Sequence, residues 1–154
     1  MSATDAMSAP VDAVLDELRP SDLTPARTIG ERLAAVSAFA ALVLVDGVSK
    51  LGGFHRLYEM VRHWPRRGQR PSAERIESIC QAVDRAAAFY FKRAWCLQRS
   101  ATATCLLRLA GAPAEMVIGI EKIPFYAHAW VEIDGEVAND HPMVKRRYAE
   151  IDRC

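Results

Sequence analysis

Hydrophobic positions recur every three to four residues through most of residues 12–110 and then every second residue from 115 to 140, which predicts a helical part followed by a strand-forming part. That order of elements implies an α+β fold. Val11 to Arg19 has the spacing of a short amphipathic helix stopping before Pro20, and Thr24-Pro25 puts a capping hydroxyl before a proline suited to a first helical position. A long helix to about Asp46 follows, with Thr28-x-x-Glu31 as an alternative capping box and Gly47 as its expected end. Within it Leu33 to Val45 is an apolar-rich run of thirteen residues, shorter than the roughly 20 a helix needs to cross a bilayer, and it reads as a buried helix. A shorter helical piece is predicted between Gly52 and Arg62. Pro65, Gly68 and Pro71 then mark a loop, and Ser72 caps a helix whose Ile76, Cys80, Val83, Ala87 and Tyr90 form a buried stripe. Leu97, Ala101, Cys105 and Leu109 make another stripe, closed by Gly111 as a C-terminal cap.

The chain has 154 residues, 51% hydrophobic and 25% charged, enough for one globular core. Residues 1–10 are expected to be a flexible N-terminus and 11–154 a single domain, with 11–91 helical and 92–154 carrying a helix and an antiparallel sheet. A formal charge of +1 provides no global field for nucleic acid or an anionic membrane. Arg62, Arg66, Arg67 and Arg70 fall within nine residues and read as a solvated loop in preference to a contact for an acidic partner. The first ten residues carry an acid and no basic patch, unlike a secretory signal, which points to the cytoplasm. Cys80, Cys96, Cys105 and Cys154 lack close C-x-x-C spacing, so neither a disulfide framework nor a zinc knuckle is suggested.

Cys96 differs from the other three cysteines because it falls at the first turn of its helix. Unpaired backbone N–H groups and the positive end of the helix dipole favour a thiolate there. Cys105, nine residues on, lies roughly opposite among leucines, Cys80 belongs to a core stripe, and Cys154 is terminal. Downstream, PFYAHAWVEIDGEVAND reads as a β-hairpin, with a strand from Ala127 to Ile133, a turn at Asp134-Gly135 and a return from Glu136 to Asn139. A two-residue turn pairs Ile133 with Glu136 and sets His128 and Asp140 on opposite faces. A three-residue loop with Gly135 at a bulge pairs Glu132 with Glu136, and four residues further out on each strand His128 then faces Asp140. The second register is the expected one, because it assembles a nucleophile, a base and an orienting carboxylate. A metal site at Cys96, His128, Asp140 and His141 is set aside for want of ligand spacing, and His141 is expected at a strand end. His55 and His63 have no assigned role.

The stretch from Trp95 to Asp140, with CLQRS, the VIG strand, PFYAHAWVE, the DG turn and Asp140 in that order, resembles the leader peptidases of lasso-peptide biosynthesis, a transglutaminase-like cysteine protease family. The resemblance implies a papain/transglutaminase-like fold and a catalytic triad at Cys96, His128 and Asp140. It also implies a ribosomally made precursor peptide as substrate, cut at the leader–core junction, with a threonine commonly next to last in the leader. The family occurs fused to a precursor-recognition domain or as a discrete peptidase working with that domain as a separate protein; helices ahead of Cys96 match the discrete form. An ATP-dependent cyclase would then close the macrolactam. ATP belongs to that partner, since no G-x-x-x-x-G-K loop is present here, and no cofactor is expected for this chain.

The backbone N–H of Cys96 is the expected oxyanion donor. Trp95 and Trp130 flank the nucleophile and the histidine and serve either to wall the site against water or to pack. Gly53, Leu57 and Tyr58 lie in a segment that is neither clearly core helix nor linker, a candidate surface for the leader or the partner against the alternative of ordinary helix packing. Two other functions use the same residues: a transglutaminase-like acyltransferase, whose thioester is resolved by an amine, and a non-catalytic scaffold that only presents the peptide.

Overall fold

The computed structural model describes residues 29–90, 96–122 and 125–154. The expected helix at 11–19, the cap positions Thr24 and Thr28, and Trp95 lie outside the described residues. The order is α1 (Ile29–Arg62), α2 (Ala73–Ala88), α3 (Cys96–Leu109), β1 (Ala114–Lys122), β2 (Phe125–Ile133), β3 (Glu136–Val137), α4 (Val144–Arg147) and β4 (Ala149–Arg153). The strands form one antiparallel sheet in the order β3-β2-β1-β4. Helices before a small antiparallel sheet are the α+β arrangement read from the sequence; α4 and β4 were not anticipated.

The period-two alternation of β1 and β2 divides the sheet into two faces. Ala114, Met116, Ile118, Ala129, Val131 and Ile133 point to the helices and are buried. Between them and α1 and α2 lies α3, buried almost all round from Ser100 to Cys105, which is why its sequence shows no strong apolar face. Thr102 is accommodated by donating to the Gln98 carbonyl at 2.7 Å. Ser72 caps α2 by accepting from the Arg75 N–H, and Cys80 and Cys105 are core residues, as expected. Gly111 ends α3 with φ +98°, its N–H and that of Ala112 donating to the Arg108 and Leu107 carbonyls; a Cβ there would stand 2.1 Å from the Gln69 carbonyl oxygen.

Two helical expectations are corrected. Gly47 does not end α1: the helix runs through it, and the Lys50–Asp46 ion pair at 2.8 Å bridges the spot, while the Tyr90 hydroxyl donates to Asp46 at 2.9 Å. Those contacts offset the roughly 1 kcal/mol a mid-helix glycine costs. The break comes at Gly53, with φ +68°, a conformation open to glycine. The Leu33–Val45 run is also not buried throughout: Ala38, Leu42 and Val45 are buried, but Leu33, Val36, Val43 and Leu44 are exposed among the described residues. By length and composition α1 is apolar enough to cross a membrane, a condition that a core helix can also meet.

Leu57 is fully buried with Val61, Cys105 and Met116, and the half-buried Tyr58 donates to the Arg153 carbonyl at 3.3 Å. Leu57 therefore has no surface to offer a partner, and helix packing replaces the docking role considered for it. Leu57→Ala is expected to cost about 2–5 kcal/mol, read as a clear drop in Tm; an unchanged Tm would contradict this placement.

Candidate active site

Cys96 is the first residue of α3, half-buried at the edge of β2 that β1 does not pair. Burial pushes its thiol up, but this is outweighed together by a hydrogen bond to His128, the N–H of Ala129, the charge of His128 and the N–H of Leu97, so the thiol lies below its ordinary value. The other cysteines go the opposite way: burial pushes Cys80 and Cys105 to about 12 and Cys154 to about 11. Cys154 is partly exposed as well, but there the charges of Arg108 and Arg62 do not outweigh burial, whereas at Cys96 the partners of the anion do.

His128 projects from β2 with its Nε2 2.6 Å from Asp140 Oδ2, which leaves Nδ1 for the Cys96 sulfur. Burial alone would lower its pKa. The hydrogen bonds with Asp140 and Cys96 and their charges reverse that and raise it to about 9. Asp140 is pushed up by burial but held below the usual carboxylate range by His128, the His141 N–H and the positive charge of Arg99. All three directions favour a thiolate–imidazolium–carboxylate array. Such an array can attack a carbonyl through sulfur and deliver a proton to a departing group.

The contact between His128 and Asp140 does not come from the expected strand register. Ile133 pairs with Glu136 and Glu132 with Val137, across a two-residue turn in which Asp134 has φ +51° and Gly135 φ +81°. That is the register expected to separate the two side chains, and a continuing ladder would have done so. Instead β3 ends at Val137, residues 138–140 bend out of the sheet, and Asp140 reaches His128 from outside any strand. His141 likewise stands in the following turn, exposed, its ring Nδ1 accepting from the Met143 N–H.

On the sheet face away from the helices, His128, Trp130 and Glu132 follow one another at alternate positions of β2. Tyr148 stacks on the His128 ring at 5.0 Å and Trp130 at 6.3 Å. Room for this stack comes from Gly119, opposite His128 on β1: a Cβ there would stand 2.8 Å from the Trp130 ring and 2.9 Å from Tyr148 Cβ. Trp130 is only 1% exposed, so it backs the imidazole and offers no face to a peptide. Its indole donates to Glu132 Oε1 at 2.9 Å, and this buried carboxylate is balanced by Arg153 at 3.3 Å and Lys145 at 3.5 Å. Tyr148 and Glu132 had no role in the sequence reading; the i, i+2 spacing of His128, Trp130 and Glu132 was the signal available for the latter. Gly53 lies exposed on α1 at the helix break.

The profile of the transglutaminase-like superfamily matches residues 41–153, which covers α3, the sheet and much of α1. The chain belongs to the transglutaminase-like superfamily. Among curated proteins it is 38% identical over 56 residues to the microcin J25-processing protein McjB of Escherichia coli, covering 36% of this chain and 27% of McjB. The chain thus aligns with only about a quarter of that relative. No solved structure matches at a significant level. The α+β architecture described above agrees with the match.

Proposed function

We propose that the chain is a cysteine peptidase that removes the leader from a ribosomally made lasso precursor. The carrying observation is the unbroken hydrogen-bonded line from the Cys96 sulfur through His128 to Asp140. The partial likeness to a microcin-processing protein adds the substrate class. In this reading the Cys96 sulfur attacks the carbonyl at the leader–core junction, and the backbone N–H of Cys96, one of the orphan donors of a helix start, faces the developing oxyanion. The C–N bond breaks as His128 gives its proton to the core amine, leaving the leader as a thioester. Water, deprotonated by His128, then releases the leader carboxylate and restores the thiolate. Asp140 holds the ring and its charge throughout. A separate recognition protein would bring the leader, and an ATP-dependent cyclase would use the freed amine. Such precursors are made in the cytoplasm, which locates the work there.

The test is incubation of the chain with its precursor, recognition protein and H2¹⁸O. Two linear fragments are expected, with one ¹⁸O in the new leader carboxylate. Amine-linked leader without ¹⁸O would instead establish acyl transfer, and no covalent change would leave only the scaffold.

A further inference from the structure

Because β3 pairs only Glu132 and Ile133, the outer edge of β2 from Val131 backwards has polar groups that a third strand would ordinarily satisfy. Val131 O receives the Ala138 N–H at 2.8 Å. From there the partners become side chains: the Val131 N–H donates to Asn139 Oδ1 at 2.7 Å, Asn139 Nδ2 donates to Ser100 Oγ at 3.1 Å, and the Ser100 hydroxyl donates to the Ala129 carbonyl at 2.8 Å. The Ala129 N–H then meets the Cys96 sulfur. The direction of every bond is fixed, since a carbonyl only accepts and an N–H only donates. Three of its members neighbour residues of the proposed triad: Ser100 lies one helical turn after Cys96, Ala129 follows His128, and Asn139 precedes Asp140. Ser100 is 1% exposed, so water does not stand in for a lost partner there.

From this chain we infer that Ser100 and Asn139 are positioning residues that lock α3 to the open edge of β2 and thereby set the Cys96–His128 distance. The inference rests on the peptidase reading only in taking that pair as the reacting one. Three separate elements carry the triad, and sheet pairing fixes none of the gaps between them; the Ser100–Asn139 chain spans all three. Errors of about 1 Å in such a gap cost on the order of 100-fold in rate.

The test compares the full-length chain with S100A and N139A. Iodoacetamide labelling of Cys96, followed by peptide mass mapping across pH, reports the thiolate without any substrate. Among the described residues the charged groups around the sulfur are His128, Asp140 beyond it and Arg99, whose charge acts on Asp140; both substitutions are neutral and leave every charge of the chain in place, so a change reports geometry. Wild type is expected to label at pH values below an ordinary thiol, and H128A to lose that limb. S100A and N139A are expected to keep a folded circular dichroism spectrum, move the limb upward by about half a pH unit or more, and lower kcat on the precursor about 30-fold with KM within about threefold. A lowered Tm with an unmoved limb overturns the inference and makes the two residues structural. A wild-type limb indifferent to H128A overturns the reacting pair and the inference with it. Should N139A not fold, S100A, which removes one oxygen atom, decides alone.

Discussion

Cys96→Ala is expected to abolish leader removal, by at least about 10⁴-fold, while the protein folds and binds as before. The nucleophile forms the covalent bond to the leader in the proposed route, and no second thiol can replace it, since Cys80 and Cys105 are buried in the core and Cys154, whose backbone pairs with Met116 of β1, has its thiol pushed up to about 11 by burial. In triads of this kind, losing the nucleophile costs nearly as much as losing the whole set. Little stability should be lost, because Cys96 is half-buried and its small side chain leaves no large cavity. Fragment masses after prolonged incubation, set beside the circular dichroism of the variant, make the check. Leader release at more than a percent of the wild-type rate would mean that another group attacks the carbonyl.

Asp140→Asn is expected to reduce kcat about 10³-fold and to reshape the pH profile. In the wild type, activity rises as pH climbs through the lowered pKa of Cys96 and falls as His128 loses its proton near pH 9. Asparagine fills the same space but carries no charge, so the imidazolium loses both a charge-assisted hydrogen bond and a Coulombic partner. The His128 proton is then released at lower pH, and the alkaline limb moves toward neutrality. The thiol loses part of its own stabilisation, because the charge on His128 is one of the forces that holds it down, so the acid limb moves up and the bell narrows from both sides. An amide can also turn its NH2 to Nε2 and hold the wrong tautomer, which accounts for the size of the kcat loss. An alkaline limb that stays near pH 9 in the variant would show that the carboxylate does not control the ring.

The sequence carried the chemistry of the site further than its construction. Cys96 could be separated from Cys80 and Cys105 because helix starts and apolar stripes are local patterns, and the structure bears that separation out in burial. The hairpin turn was legible for the same reason. Its register was not: Asp134-Gly135 permits two pairings, and the choice of the bulged one assumed that β3 continues as a strand to Asp140. What ends the strand is Asn139, whose side chain takes the Val131 N–H in place of a backbone partner, an interaction that no period in the sequence announces. Gly47 and Gly53 show the same limit, since either can end a helix, and the contacts that Asp46 makes with Lys50 and Tyr90, beside the first, are not visible in any local pattern.

By itself, then, the amino-acid sequence determined the helix-then-strand order, the helix-opening thiol, the strand histidine and the acid after the turn, because each depends on residue types within a few positions of one another. Tertiary structure alone decided how they meet. The Gly119 gap that admits Trp130 and Tyr148 beside the imidazole, the side chains that complete the open edge of β2, and the bend that returns Asp140 to His128 all join residues from distant parts of the chain, and such contacts are set by packing and by the need to pair buried polar groups, not by local propensity.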